Sequence, residues 1–313
     1  MMEIDIDHRI ELITVIQTLC NYWDNLAQKY SGKKLFFCEY KENIIKYFEA
    51  FKQNEIPDLC NKLFNDETDI SAFLTLVLNF SNPPQMSKIF DHYENKYEYF
   101  IDSLRKFYKE TKFDRFLENN QYIYDKILND FSNKEELNKE IKIIFEYLDI
   151  ENINYKIIIS PLVFGNFGIN TDTKNYIIKS PFDYKDDKYI FGPKESIRNN
   201  IWHEIGHTAI NDLTKKYFDI TKYKQIEISE IFINKFYNNA ETIINEYIVR
   251  AIANLLEKEN NCARALLDYE IKSGFREIEK VKKFIFENCS VNNKFIKDDS
   301  YAKLVNFVVG VIG

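Results

Sequence analysis

The chain has 313 residues, of which 45% are hydrophobic and 29% are charged, as in globular proteins with a sizeable core. Its 8 Gly and 6 Pro are too few for a turn-rich all-β fold, and its net charge of −7 argues against a protein that binds nucleic acid. The five cysteines are scattered, odd in number and without a CxxC pair, which favours reduced thiols in a cytoplasmic protein.

The first half of the chain has the periodicity of amphipathic helices. Apolar residues recur at helical spacing, between polar turns, in five segments: 7–21, 40–52, 69–79, 91–109 and 134–147. Asp7 stands where a side chain would cap the first of these helices. We therefore interpret residues 1–150 as a helical N-terminal region.

Short β-branched and aromatic runs follow, at residues 154–160, 176–179 and 188–191, and each ends close to a proline. They predict a small antiparallel sheet. Residues 164–168 are interpreted as a glycine-containing turn between strands. Helical periodicity resumes at Glu195, so we expect a mostly helical α+β fold.

A second region, 151–313, contains the sheet and the later helices. No linker separates it from the first region, so the two can form one unit. The N-terminal segment lacks the pattern of a signal peptide, and no apolar run reaches the length of a membrane span. The apolar residues 304–313 are expected to pack into the core. We therefore expect no membrane partner.

The strongest signal for chemistry is His203-Glu204-x-x-His207, the HExxH pattern of zinc metallopeptidases. Residues four apart on a helix differ by about 40° in azimuth and about 6 Å along the axis, so both imidazoles can reach one zinc ion. Glu204 lies at the side of that helix face, about 60° in azimuth from His207, where it can act as a general base without binding the metal. Gly206 costs helix stability but lets another segment approach the site. The plainer alternative is a pair of hydrogen-bonded histidines on a helix face.

A catalytic zinc site needs a third protein ligand. His8 and His92 lie far upstream, so a carboxylate on a downstream helix is the better candidate. Glu246 projects from an apolar stripe, where a buried carboxylate needs a cation or a metal to compensate it. We assign Glu246 as the third ligand, with Glu241 next in line. An ion pair between Glu246 and Arg250 is the alternative interpretation.

These residues resemble the gluzincins, in which two motif histidines and a downstream glutamate hold zinc. Three segments are also similar to an uncharacterised bacterial family of predicted zinc metallopeptidases, known only as a domain of unknown function: 7–12 (DHRIEL), 203–211 (HEIGHTAIN) and 245–251 (NEYIVRA). The resemblance implies a gluzincin-like core with the small sheet next to the zinc-binding helix. It also implies a zinc-activated water and a peptide or protein substrate. In thermolysin-like enzymes a strand edge beside the zinc helix binds the peptide, and by this analogy residues 164–168 are the alternative candidates for such an edge.

The resemblance further implies a donor for the oxyanion, for which Tyr247 and Arg250 are candidates. Arg250 could equally pair with a zinc ligand. We therefore predict a cytoplasmic zinc metallopeptidase with His203, His207 and Glu246 as ligands and Glu204 as general base. One alternative is a non-catalytic binding or regulatory protein that retains a zinc site, and another is a peptidase with a single regulatory protein as its substrate.

Overall fold

The computed structural model describes residues 3–51, 55–63, 71–89, 97–131, 134–150, 155–171, 174–218, 239–257, 261–295, 297 and 299–312. The chain forms two compact units. The first consists of Met1–Ser132 and Asn154–Gly192, and the second of Asn133–Ile153 and Pro193–Gly313. Both units contain mostly helices, and the strands are short, so the predicted α+β class with a high helix content is confirmed.

The helices described in the first unit are α1 His8–Leu19, α2 Tyr22–Ser31, α3 Glu39–Phe48, α4 Glu55–Leu63, α5 Ala72–Leu78, α6 Glu98–Glu110, α7 Phe113–Asn119 and α8 Gln121–Phe131. They include the helices predicted within 7–21, 40–52, 69–79 and 91–109, although residues 91–96 lie outside the described residues. Asp7 caps α1 as predicted, because its side chain accepts a hydrogen bond of 3.0 Å from the backbone N–H of Arg9.

The first unit also contains a four-stranded sheet in the order β1-β2-β4-β3. Its strands are β1 Glu3–Asp5, β2 Tyr155–Ile159, β3 Phe167–Asn170 and β4 Asn175–Lys179. β1 pairs with β2 in parallel, and β2 pairs with β4 in parallel. Among the described strands of this sheet, only β3 and β4 form an antiparallel pair, so the expected antiparallel sheet is corrected to a mixed one. The physical reason is that β3, which lies between β2 and β4 in the sequence, pairs at the edge of the sheet. The chain therefore returns to place β4 beside β2 in the same direction.

The predicted turn at 164–168 is partly a strand. Gly165 has the positive φ of a turn, but Phe167 and Gly168 already belong to the edge strand β3. The last predicted run forms a separate hairpin of β5 Asp183–Lys185 and β6 Lys188–Ile190. The sheet and this hairpin belong to the first unit, whereas the HExxH motif belongs to the second.

A buried carboxyl group lies in the middle of α1. Glu11 is fully buried and accepts a hydrogen bond of 3.0 Å from Ser160 Oγ and another from the Tyr40 hydroxyl, which is itself 2.8 Å from the hydroxyl of Tyr124. Burial raises the pKa of Glu11 to about 7, although these donors favour its charged form. The first unit thus contains a carboxyl group that titrates near neutral pH.

The second unit contains α9 Lys134–Tyr147, α10 Lys194–Tyr217, α11 Ala240–Leu256, α12 Asn261–Lys272, α13 Ile278–Asn288, the short strands β7 Ser290–Val291 and β8 Lys294–Phe295, and α14 Asp299–Ile312. In α14, Leu304, Val305 and Val308 are fully buried, which confirms that the apolar tail packs into the core. Within the described part of the chain, no helix is both long enough and apolar enough to cross a membrane.

Candidate metal centre

The helix α10 carries the HExxH motif. It begins after Pro193, has Glu195 in its first turn and has Lys215 and Lys216 in its last turn, which complements the helix dipole at both ends. His203 and His207 are therefore one turn apart on one helix face, as the spacing predicts. The two rings meet edge to face with their centroids 4.5 Å apart.

The helix α11 supplies the third side chain. Its N-cap is Asn239, whose side-chain oxygen accepts a hydrogen bond of 2.8 Å from the backbone N–H of Thr242. Glu241 lies in the first turn, whereas Glu246 lies in the middle of the helix and is only 7% exposed. Glu241 thus has the position that the helix dipole favours for an acidic residue, whereas Glu246 is a buried carboxylate inside the helix.

The structure brings His203, His207 and Glu246 together. His207 Nε2 lies 3.0 Å from His203 Nε2 and 3.1 Å from Glu246 Oε1, and His203 Nε2 lies 3.7 Å from Glu246 Oε2. In a tetrahedral zinc site with bonds of about 2.0–2.1 Å, neighbouring ligand atoms are about 3.3 Å apart. The two imidazole nitrogens are close to this distance from each other, and each lies within 3.7 Å of one oxygen of the Glu246 carboxylate, so this cluster could hold a metal ion.

The electrostatics of the cluster also suit a cation. Burial alone would raise the pKa of the Glu246 carboxyl, but Arg250 and the two histidines outweigh burial and hold this pKa well below its usual value. Burial lowers the pKa of His203 well below its ordinary value. For His207, burial acts in the same direction, but the charge of Glu246 outweighs it and raises the pKa to about 9. The carboxylate therefore stays charged, and its charge favours the protonated form of His207.

His207 has a further partner that the sequence analysis did not identify. Its Nδ1 lies 3.1 Å from Asn211 Oδ1, one turn farther along α10. Because an amide oxygen only accepts hydrogen bonds, this contact requires a proton on Nδ1, which leaves Nε2 as the atom that a metal would bind. Metal-binding histidines commonly have such an orienting partner. The i+4 spacing from His207 to Asn211 was the signal that could have indicated it.

Arg250 is in direct contact with the candidate ligand Glu246. Its Nε donates a hydrogen bond of 2.8 Å to Glu246 Oε2, and its Nη1 donates one of 2.6 Å to Glu270 Oε2. This position favours the pairing of Arg250 with a ligand over the role of an oxyanion donor. Both interpretations of Glu246 are therefore compatible, because the same carboxylate faces Arg250 on one side and the imidazoles on the other. Glu270, on α12, has no local sequence signal that connects it to the motif.

The structure does not bring the Tyr247 hydroxyl to this cluster. Its ring packs edge to face on Phe275 at 5.0 Å, and its hydroxyl faces the backbone of Arg276 and Glu277. Burial raises its pKa to about 12. Tyr247 thus has the environment of a packed core tyrosine, and its candidacy as an oxyanion donor gains no support from its position.

Glu204 lies beside the cluster without belonging to it. The residue is 7% exposed, and its charge contributes to the raised pKa of His207. Among the residues that the structure describes, the cluster consists of three ligand side chains, and Glu204 is not one of them. His8 is the exposed first residue of α1 in the other unit, and His92 lies outside the described residues.

Comparison with known proteins identifies one family. The model of the family described as "Domain of unknown function (DUF4932)" matches residues 85–306, which is more than two thirds of the chain and includes the whole cluster. No curated protein matches the chain. No solved structure matches it either.

Proposed function

The chain belongs to the DUF4932 family, whose description gives no function, and we propose that it is a zinc-dependent metallopeptidase. The observation that carries this proposal is the convergence of His203, His207 and Glu246: the two Nε2 atoms lie 3.0 Å apart, and each lies within 3.7 Å of one carboxylate oxygen of Glu246. Two histidines and a glutamate form a common ligand set of catalytic zinc in peptidases, which leaves the fourth position open to water or substrate.

Each residue of the site has a role in this proposal. His203, His207 and Glu246 hold the ion, and Asn211 orients His207. Zinc supplies Lewis acidity, which polarises a peptide carbonyl and makes a water molecule a better nucleophile at neutral pH.

Glu204 is the general base, which takes a proton from the attacking water and gives it to the leaving nitrogen. Its buried position on α10, between the two candidate ligand histidines in the sequence, supports this role.

We propose a peptide or a protein as the substrate and the cytoplasm as the compartment. The scattered, odd number of cysteines supports the compartment, as does the absence of a disulfide among the described cysteines Cys20, Cys38, Cys60 and Cys289. A non-catalytic protein with a structural zinc site is the alternative. Such sites usually have four protein ligands, whereas the described part of this chain supplies three, which favours the catalytic interpretation.

The proposal is tested with the zinc-loaded protein and its Glu204→Gln variant. The substrates are a peptide library prepared from a bacterial proteome and the same proteome undigested, with cleavage products identified by mass spectrometry. Glu204→Gln is expected to retain zinc and to lose a factor of about 10²–10⁴ in hydrolysis rate. Equal activity of the two proteins contradicts the role of Glu204. A zinc-loaded wild type that cleaves nothing supports the non-catalytic alternative.

A further inference from the structure

A chain of buried charges extends from the candidate ligand Glu246 through Arg250 to Glu270. The Arg250–Glu246 distance is 2.8 Å and the Arg250–Glu270 distance is 2.6 Å. The side chains of Glu246, Arg250 and Glu270 are 10%, 17% and 6% exposed. Burial of any one of these charges without its partners would be costly, so the three side chains depend on one another for their positions.

Arg250 is held on three sides. Besides its two carboxylate partners, its guanidinium lies over the ring of Phe275, with 4.5 Å from Cζ to the ring centroid. The planar guanidinium donates in fixed directions, so a guanidinium that cannot move also fixes the carboxylate that it contacts. Arg250 contacts Oε2 of Glu246, whereas Oε1 is the oxygen closest to His207.

Arg250 alone would weaken a cation site. A guanidinium next to a ligand carboxylate cancels its charge and competes with a metal ion for its oxygens. Glu270 compensates this effect, because it gives Arg250 a second anionic partner. The three charged side chains then carry a net charge of −1, which would be zero without Glu270.

We propose that Glu270 is a positioning residue of the metal site. Acting through Arg250, it keeps Glu246 in the orientation that faces the imidazoles and restores the negative charge that Arg250 removes. This inference rests on the metal site of the proposed function, but it does not depend on peptide hydrolysis.

The same unit offers a matched control. Arg198 and Glu257 form a second buried pair, with Nη2 and Oε2 2.5 Å apart and side chains 17% and 2% exposed. Glu257 follows Glu246 by 11 residues, or about 16 Å along a helix axis. Loss of the Glu257 carboxylate therefore removes a comparable ion pair that includes neither a candidate ligand nor Arg250.

The experiment measures the zinc dissociation constant of the full chain by competition with a chromophoric chelator, together with thermal unfolding of the metal-free protein. Glu270→Gln is expected to weaken zinc binding by about 10- to 100-fold. Glu270→Asp, which keeps the charge but shortens its reach, is expected to lose less. Glu257→Gln is expected to lower the melting temperature and to leave the zinc dissociation constant close to that of the wild type.

A folded Glu270→Gln variant that binds zinc like the wild type, or no worse than Glu257→Gln, overturns the inference. If Glu270→Gln does not fold, Glu270→Asp decides, and zinc binding equal to the wild type then overturns it. Hydrolysis by the wild type is a separate readout. A wild type that binds zinc without cleaving peptides overturns the proposed function alone, whereas a wild type that binds no zinc overturns both.

Discussion

Gly206 lies directly against Val249, so that a Cβ atom added to Gly206 would be only 2.8 Å from Val249 Cγ1. Gly206 is between the two motif histidines on α10, and Val249 is three residues after Glu246 on α11. The absence of a side chain at Gly206 therefore allows the two helices to approach at the level of the ligands. This contact explains why a residue that disfavours helices by about 1 kcal/mol occupies this position.

Gly206→Ala is expected to weaken zinc binding by about tenfold, because the added methyl group must displace Val249 and with it Glu246. It is also expected to destabilise the protein by about 1–2 kcal/mol, since the cost of overpacking exceeds the gain in helix propensity. Zinc competition and urea unfolding measure the two effects.

Gly310→Ala is the matched control, because Gly310 also lies in a helix but a Cβ there would meet no atom within 4 Å. It is expected to leave zinc binding unchanged and to raise the free energy of unfolding by up to about 1 kcal/mol. The double variant Gly206→Ala with Val249→Ala is expected to recover zinc affinity. Tight zinc binding by Gly206→Ala alone would show that the helix contact does not position Glu246.

Asn211 is expected to select the tautomer of His207 that leaves Nε2 for the metal. Asn211→Ala is therefore expected to weaken zinc binding by about tenfold, and Asn211→Asp, which keeps an acceptor, is expected to retain it. The measurement is the zinc dissociation constant of each variant. Equal affinities of Asn211→Ala and the wild type would mean that another group orients His207.

Glu11 is expected to make the stability of the protein depend on pH. Its pKa in the folded chain is about 7, above the value of 4.5 for a free glutamate, so the folded state binds the proton more tightly than the unfolded state. The stabilisation from this proton is complete below about pH 4.5 and is lost as the pH rises through about 7. A shift of this size corresponds to roughly 3 kcal/mol.

Glu11→Gln removes this titration. Urea unfolding of the variant and the wild type at pH 5 and pH 8 gives two free energies of unfolding for each protein. The free energy of unfolding of the variant minus that of the wild type is expected to grow by roughly 2–3 kcal/mol between the two pH values, since at pH 5 part of the proton-linked stabilisation is already lost. The contributions of the other titrating groups cancel in the difference between the two proteins, since both proteins contain them. A constant difference between the proteins would contradict a raised pKa of Glu11.

The sequence predicts those parts of the fold that depend on local periodicity. The helix at 134–147 is found with the same bounds, since its apolar spacing is regular. The strand β1 was not predicted, because three residues with two acidic side chains carry no strand signal. Glu3–Asp5 is a strand only because it pairs with Lys156–Ile158, about half the chain away. The parallel pairing of β2 and β4 is likewise decided by β3 at the edge.

The candidate site also contains residues that local sequence predicts and a contact that depends on the packing of helices. The histidine pair follows from helix geometry, and Glu246 follows from the cost of a carboxylate in an apolar stripe. The contact between Arg250 and Glu270 depends on the packing of α11 and α12, which no spacing in the sequence reveals.

The most direct test of the account is the zinc content of the protein purified without chelators or affinity tags that bind metal, measured by elemental analysis. We compare the wild type with Glu246→Gln, which removes the charge but keeps the size, and with Glu241→Gln on the same helix. We expect about one zinc per chain in the wild type and in Glu241→Gln and a sharp loss in Glu246→Gln. Full zinc content in Glu246→Gln, or none in the wild type after zinc is added, would contradict this expectation.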